Sequence, residues 1–236
     1  VAAGIGVNAA VHAAARSLLF PDLGLSEPSS VFTLYAVDSR NRFAAPSGRL
    51  FQTLETRPDL ALGVAASLPM RVGVTARTWT GAANGQSVSP GYFLALRLRA
   101  ANGRLPTMGD INAARAEPIA VLSRAFWQSA FAGKADVIGE RLKLRGVSVL
   151  VVGVLQDGFA GLTARSTTPT ALWVLDPDGL VGPALYSADQ VDTVVRTRLG
   201  TDTDALGSSL TALYKSISEV ERLVPTNIVA RRSDGV

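Results

Sequence analysis

Residues 191–230, VDTVVRTRLGTDTDALGSSLTALYKSISEVERLVPTNIVA, decide how this chain folds. Residues 191–199 alternate and read as a strand. Asp202 or Thr203 then stands where a helix cap belongs, just before an apolar stripe. Leu206, Leu210, Leu213, Ile217, Val220 and Val224 recur at steps of three and four, the period of one helix face. Pro225 removes a backbone donor and stops the helix, and residues 227–230 supply a last short strand. The unit is β-α-β.

A similar unit stands near the start. Residues 30–38, rich in β-branched and aromatic side chains, read as a strand. Ser47 caps a short helix carrying Leu50, Phe51 and Leu54, which Arg57-Pro58 ends. Residues 70–80 form another strand, entering a glycine-marked turn at 81–85. Two β-α-β stretches predict an α+β layer with the middle of the chain inserted between its halves. In that middle, a Gly/Asn-rich loop leads from Val88-Ser89-Pro90-Gly91-Tyr92-Phe93 to Glu117-Pro118. Residues 119–122 are a short strand. Ser123 caps a helix that bears Phe126, Trp127 and Phe131 and ends at Gly133. Residues 142–144 and 147–155 flank Arg145-Gly146 as a hairpin. Residues 171–175 form a strand closed by Asp176-Pro177-Asp178-Gly179.

The chemistry open to the chain is narrow. Its 236 residues include no cysteine and one histidine, His12. That rules out a disulfide framework and a thiol nucleophile, and leaves only His12 for a histidine-based triad or zinc site. The net charge of +4 is spread over Arg16, Arg40, Arg71, Arg97, Arg141, Arg196 and Arg231 rather than gathered on one face. With no basic cluster before Arg231-Arg232, nucleic acid is not an expected partner. Asp176, Asp178 and Gly179 resemble the start of a calcium loop, but the later ligands are missing and a turn is the simpler reading. Asp202 and Asp204 precede a helix and are read as capping and dipole compensation. Glu117, Glu140, Glu219 and Glu221 have no partner in sequence for acid–base work. The aromatics Phe126, Trp127 and Phe131 are read as core. No catalytic, cofactor-binding or metal-ligating residue is assigned.

The first twenty residues, VAAGIGVNAAVHAAARSLLF, hold Gly4-Ile5-Gly6-Val7-Asn8-Ala9, a match to the dinucleotide-binding turn G-x-G-x-x-G/A. Only three residues precede Gly4, too few for the buried strand that turn requires, and Asp22 follows Pro21 in a loop. Residues 5–19 instead suit an alanine-rich helix, apolar first and then polar at His12 and Arg16. It is too short for a complete span. The expectation is the outer end of a membrane helix in a chain cut from a longer polypeptide, with Gly4 and Gly6 allowing close helix packing.

Two blocks carry a family resemblance. VSPGYFLALRLRAANGRLPTMGD is similar to V-S-x-x-Y-F-x-x-L-x-x-x-x-x-x-G-R-x-x-x-x-x-D at Val88, Ser89, Tyr92, Phe93, Gly103, Arg104 and Asp110. IAVLSRAFWQSAFAGKADVIGERLKLRGVSVLVVGVLQDGFAGL resembles V-L-S-x-x-x-W-x-x-x-F … V-I-G … G … V-x-G-V … G-F-x-G. It does so at Val121, Leu122, Ser123, Trp127, Phe131, Val137, Ile138, Gly139, Gly146, Val152, Gly153, Val154, Gly158, Phe159 and Gly161. LWVL stands where V-W-x-P is common, with Leu175 replacing proline, and the opening is similar to G-I-G-A-N-T-A-I-F-S. Arg97 departs from the pattern, which has glycine there. These are motifs of MacB-like periplasmic core domains, the extracytoplasmic parts of FtsX-like ABC-transporter permeases.

The resemblance implies a porter-like layer formed by residues 21–93 and 186–236. An inserted, mixed α/β Sabre-like subdomain would span 94–185, and residues 1–20 would end the first transmembrane helix. It further implies a non-catalytic role, in which a cytoplasmic ATPase subunit or domain drives export or mechanotransmission across the bacterial inner membrane. The partners implied are the permease's own transmembrane helices, a second permease copy, and a periplasmic adaptor or lipoprotein. Apolar spans immediately before Val1 and after Val236 follow from this reading. A periplasmic module binding a ligand or adaptor through the aromatic set near Trp127 is the competing expectation. A nucleotide-dependent enzyme built on GIGVNA is a third.

Overall fold

The computed structural model describes residues 25–37, 40, 42–77, 79–159, 161–162, 169–221 and 227–233, with side chains undescribed at 218–221. The GIGVNA stretch, His12 and the expected membrane-helix end therefore lie outside the described residues, as do Val224 and Pro225. The strands are β1 (Val31–Val37), β2 (Phe43–Ala44), β3 (Gly63–Thr75), β4 (Thr80–Val88), β5 (Ala100–Gly103) and β6 (Ile119–Leu122). They continue with β7 (Arg141–Leu144), β8 (Val147–Leu155), β9 (Leu172–Leu175), β10 (Asp192–Arg196) and β11 (Asn227–Arg232). The helices are α1 (Gly48–Leu54), α2 (Tyr92–Ala95), α3 (Ile111–Ala116), α4 (Arg124–Phe131) and α5 (Thr203–Glu221).

One mixed sheet runs in the order β11-β1-β10-β3-β4-β9-β6-β8-β5, with β2 on β1 and β7 joining β3 to β8. Its first part, β11-β1-β10 and the start of β3, is antiparallel throughout. Alternation sends Phe32, Leu34, Val64, Ala66 and Val195 to one face, where α1 and α5 cover them. Val31, Ala65 and Val194 point to the other, against Tyr92 and Leu96. Helix α5 forms where its stripe predicts: Leu206 and Leu210 are buried and Leu213 and Ile217 half-buried, while Tyr214, outside the stripe, is buried as well. Its cap is Asp202 rather than Thr203, since the Asp202 carboxylate accepts from the backbone N–H groups of Asp204 and Ala205 at 2.8 and 3.0 Å. Ser47 and Ser123 cap α1 and α4 by the same chemistry.

The second part of the sheet closes on itself. Strand β3 pairs β4, β4 pairs β9, β9 pairs β6, β6 pairs β8, β8 pairs β7, and β7 returns to β3. The ring leaves these strands no free edge. Val72, Val74, Leu122, Leu142, Leu144, Val149, Val151, Leu172 and Val174 fill one core with Phe126 and Phe131 of α4. The hairpin expected at Arg145-Gly146 turns with both residues at positive φ, 51° and 86°.

Two sequence expectations are corrected. Residues 81–85 are not a turn but the interior of β4, paired residue for residue with β3 from Gly73↔Ala82 to Met70↔Gly85. The glycines are there for proximity: a Cβ on Gly81 would lie 2.8 Å from the Trp79 ring, and one on Gly85 3.1 Å from both Met70 Cε and the Leu172 carbonyl. The chain reverses instead at 76–79, where Ala76 N–H donates to Trp79 O at 2.8 Å. The stretch between Phe93 and Glu117, read as a loop, contains β5 and α3. Strand β5 is held by distant β8, so nothing local announces it.

Candidate functional site

Asp176, Glu117 and Glu140 serve structure, and the side chains of Glu219 and Glu221 lie outside those described. The turn read at Asp176–Gly179 forms, with Gly179 N–H donating to Asp176 O, and the Asp176 carboxylate also accepts from the N–H groups of Leu180, Val181 and Gly182 at 2.7–3.0 Å. Glu117 takes a forked pair of bonds from Arg141 and one from Ser148, and Glu140 faces Arg77. Among the described residues no group of three His, Cys, Asp or Glu converges as a metal site would require. Phe126 packs edge-on to Trp79 and Phe131 in the ring core. Trp127 is half-buried and its Nε1–H donates to Lys134 O at 2.9 Å. The aromatic set is core, as the sequence reading has it.

Part of the motif set, Val88, Tyr92, Phe93 and Phe159, meets in the core where the two parts of the sheet join, and Leu122, Phe131, Val137 and Val154 lie in the ring core. Tyr92 stacks edge-on against Phe93 and Phe159, and Phe159 lies 5.7 Å from the Trp173 ring. One acceptor, Gln86 Oε1, takes the Tyr92 hydroxyl and the Trp173 indole N–H, each at 3.1 Å. All three side chains are buried, and desolvation pushes the Tyr92 hydroxyl pKa upward, so it stays a donor. Gly161, at φ +113°, must remain glycine beside this node, because a Cβ would come within 2.7 Å of Gln86 Nε2.

The Gly-Arg-Asp motif clamps the edge strand. A Cβ on Gly153 would lie 2.1 Å from Arg104 O, so β8 and the Arg104 backbone pack without side chains between them. Arg104 forks onto Asp110 at 2.9 and 2.6 Å, and Thr107 adds N–H and hydroxyl bonds. Those bonds, the Arg104 one foremost, hold the Asp110 carboxyl down at about 2. The motif thus fixes a loop.

A hub that sequence reading missed is Arg196, the last residue of β10. Its guanidinium, 5% exposed, donates to Ala95 O at 2.6 Å, to Ser30 Oγ at 2.6 Å and to Ser26 O at 3.1 Å. It therefore ties the segment entering β1 to α2 and to the sheet. Burial lowers its pKa, and the neighbouring Arg97 adds to that. An arginine in an alternating strand carries no signal of this role. Arg97, the departure from the motif, adopts φ +52°, the left-handed conformation for which glycine is usual. The turn after α2 survives the substitution, and Arg97 pairs with Glu27 at 2.6 Å.

The Arg196 hub lies at one end of the sheet. Val31 pairs Arg196, Arg196 pairs Gly63, and Phe32 pairs Arg232, so four strand termini stand in a row. Ser233 N–H donates to Val31 O at 2.8 Å, which sets the end of β11 beside the start of β1. Leu25, the first described residue, is buried in the junction core with Tyr92 and Trp173. No helix among the described residues is long and apolar enough to cross a membrane.

Comparison with known proteins places this architecture. The crystal structure of the periplasmic region of MacB from Actinobacillus actinomycetemcomitans is similar, with a TM-score of 0.66 at 16% identity over 92% of this chain and 94% of that one. The extracellular domain of the noncanonic ABC-type transporter YknZ from Gram-positive bacteria gives 0.62 at 15% identity, covering 86% of this chain and 100% of that one. A domain of a putative permease protein from Porphyromonas gingivalis gives 0.61 at 14%, covering 89% and 90%. Among curated proteins none matches the sequence. The family model for the MacB-like periplasmic core domain matches residues 1–213, so the chain belongs to that family.

Proposed function

We propose that this chain is the extracytoplasmic domain of an ABC-type permease of the bacterial inner membrane and acts as a non-catalytic mechanical element. Cytoplasmic ATP hydrolysis, by a separate subunit or a fused domain, would move transmembrane helices joined to both ends of the chain. The domain would carry that motion outward for export or mechanotransmission, against a second permease copy and an adaptor or lipoprotein. In this reading residues 1–20 end the first transmembrane helix. Residues 21–93 and 186–236 form the porter-like subdomain and 94–185 the Sabre-like insert, with the β3–β4 hairpin leaning into the insert's ring.

The observation that carries the reading is the adjacency of entry and exit. A displacement of either the segment before β1 or the segment after β11 acts on neighbouring antiparallel strands of one sheet. Arg196 couples the entering segment to α2 and so to the junction core. The sheet then works as a lever, with β3 extending from the tethered end to the far tip of the ring. Its thirteen residues span about 40 Å.

The test is distance measurement between two copies. A nitroxide on Lys143→Cys, in a chain with no native cysteine, reports the ring's position in the full-length permease reconstituted with its ATPase in nanodiscs. The expected result is a shifted distance distribution between nucleotide-free and vanadate-trapped states. An unchanged distribution through the cycle refutes mechanical coupling.

A further inference from the structure

In the ring, β3 alternates: Val72 and Val74 point into the core, while Arg71, Gly73 and Thr75 point outward and are exposed. Register extends this outer face to the neighbouring strands. Gly73 pairs Ala82 and Thr75 pairs Thr80 on β4, and on the other side Thr75 pairs Lys143 of β7. The centre is flat and open, since a Cβ on Gly73 would meet nothing within 4 Å. Arg145 completes the face from the β7–β8 hairpin. Its backbone N–H donates to Gly73 O and its guanidinium crosses to Arg71 O, each at 3.1 Å. That bond carries the Arg145 charge to the foot of the Arg71 side chain.

The acids near this face are already engaged. Glu117 takes the forked bonds of Arg141, and Glu140 and Asp136 face Arg77 at the tip. Glu117 also accepts from Ser148, which pairs Lys143 across β7 and β8, yet it makes no ion pair with that lysine. Among the described residues Arg71, Lys143 and Arg145 have no carboxylate partner. Arg71, Arg77, Arg141, Lys143 and Arg145 thus stand against Glu117, Glu140 and Asp136, and the excess is positive. The unmatched charges fall in a row. They stand at Arg71, at Gly73 where Arg145 crosses, and at Thr75 beside Lys143, every second residue of β3 over about 13 Å.

We propose that this row binds a linear phosphate-bearing polymer laid along β3, with Arg71, Arg145 and Lys143 each meeting one phosphate. Guanidinium forks and a lysine ammonium are the side chains that hold phosphate oxygens, and the exposed hydroxyls of Thr75 and Thr80 add donors beside them. A row of charges suits a chain of anions rather than a single ion. The described residues of this face include no aromatic ring and none of the strongly exposed large apolar side chains. It therefore offers neither the stacking platform that nucleic-acid bases use nor the apolar anchor that a protein interface centres on. The site stands on the geometry of this face and is independent of the mechanical reading above.

The test is fluorescence anisotropy of end-labelled linear polyphosphate titrated with the whole 236-residue chain. Expected is saturable binding that weakens about fifteen- to twentyfold between about 50 and 200 mM salt, the dependence of three phosphate contacts on a single-stranded polyanion. Arg71→Gln, Lys143→Gln and Arg145→Asn together should weaken it at least about tenfold, asparagine being tolerant of the positive φ at the hairpin. Lys143→Gln alone, which leaves the hairpin untouched, should weaken it severalfold. Removing the same charge elsewhere, by Arg198→Gln, Lys215→Gln and Arg231→Gln, should change binding far less. Thermal melts confirm that both triple variants fold. No binding, or equal losses in the two triples, would overturn the proposal. So would poly-L-glutamate binding as tightly as polyphosphate, which would point to an acidic protein surface. Inorganic phosphate displacing the polymer at equal phosphate concentration would reduce the row to a single-ion site and would also overturn it.

Discussion

Gln86→Leu is the sharpest probe of the junction. One carbonyl oxygen there satisfies two buried donors, the Tyr92 hydroxyl and the Trp173 indole N–H. Leucine fills similar space but accepts nothing. Each buried donor left without a partner costs about 1–3 kcal/mol, so stranding two should destabilise the fold by about 2–6 kcal/mol. That is a large part of the 5–15 kcal/mol typical of a domain. Tyr92→Phe removes one donor while Gln86 still serves Trp173, and should cost about 1 kcal/mol. Because Gln86→Leu strands the hydroxyl that Tyr92→Phe deletes, the double variant should be less destabilised than the two singles added, by about 1–2 kcal/mol. Urea denaturation followed by far-UV circular dichroism measures all four proteins. A Gln86→Leu protein within about 0.5 kcal/mol of the parent, or strict additivity in the cycle, would refute the shared-acceptor argument.

Three further outcomes are expected. Gly153→Ala drives a Cβ into the Arg104 carbonyl at 2.1 Å, backbone against backbone, and should cost more than about 3 kcal/mol. Gly73→Ala, with nothing within 4 Å, should stay within about 0.5 kcal/mol; thermal melts compare them. Arg97→Gly relieves a left-handed backbone worth about 1 kcal/mol and loses one exposed ion pair worth 0–1, so its melting temperature should hold or rise. Arg97→Val should lower it. Glu55 is partly buried against Tyr186, and desolvation raises its pKa from 4.5 to about 7. Its folded form binds the proton more tightly, so stability should fall as pH rises through that interval and stay low above it. After allowance for solvent screening, Glu55→Gln should gain about 1–2 kcal/mol at about pH 8 and flatten the slope. Melts across that range that leave parent and variant parallel would contradict the assignment.

What could be read in the sequence was what short-range chemistry encodes. Ser47, Ser123 and Asp202 announce caps because a side-chain oxygen satisfies N–H groups only two or three residues on. The leucine stripe of α5 and the Arg145-Gly146 turn are equally local. Glycines 81 and 85 misled because the same residue that permits a turn also permits close approach, and only the neighbours Trp79, Met70 and Leu172 distinguish the two. Strand β5, the closed ring and the Arg196 hub were hidden because their partners lie tens of residues or more away. The motif glycines and aromatics pointed to a family, whereas their physical work became visible only when Gln86, which no motif names, was seen between Tyr92 and Trp173.

The central claim is that this domain stands outside the cytoplasm, tethered at the end where β1 begins and β11 ends. Topology in living cells tests it directly. Arg77, exposed at the ring tip, is replaced by cysteine in the full-length protein, to which this chain contributes no other thiol. With the outer barrier permeabilised and the inner membrane intact, a membrane-impermeant maleimide should label it fully. Labelling only after the inner membrane is broken would contradict the account.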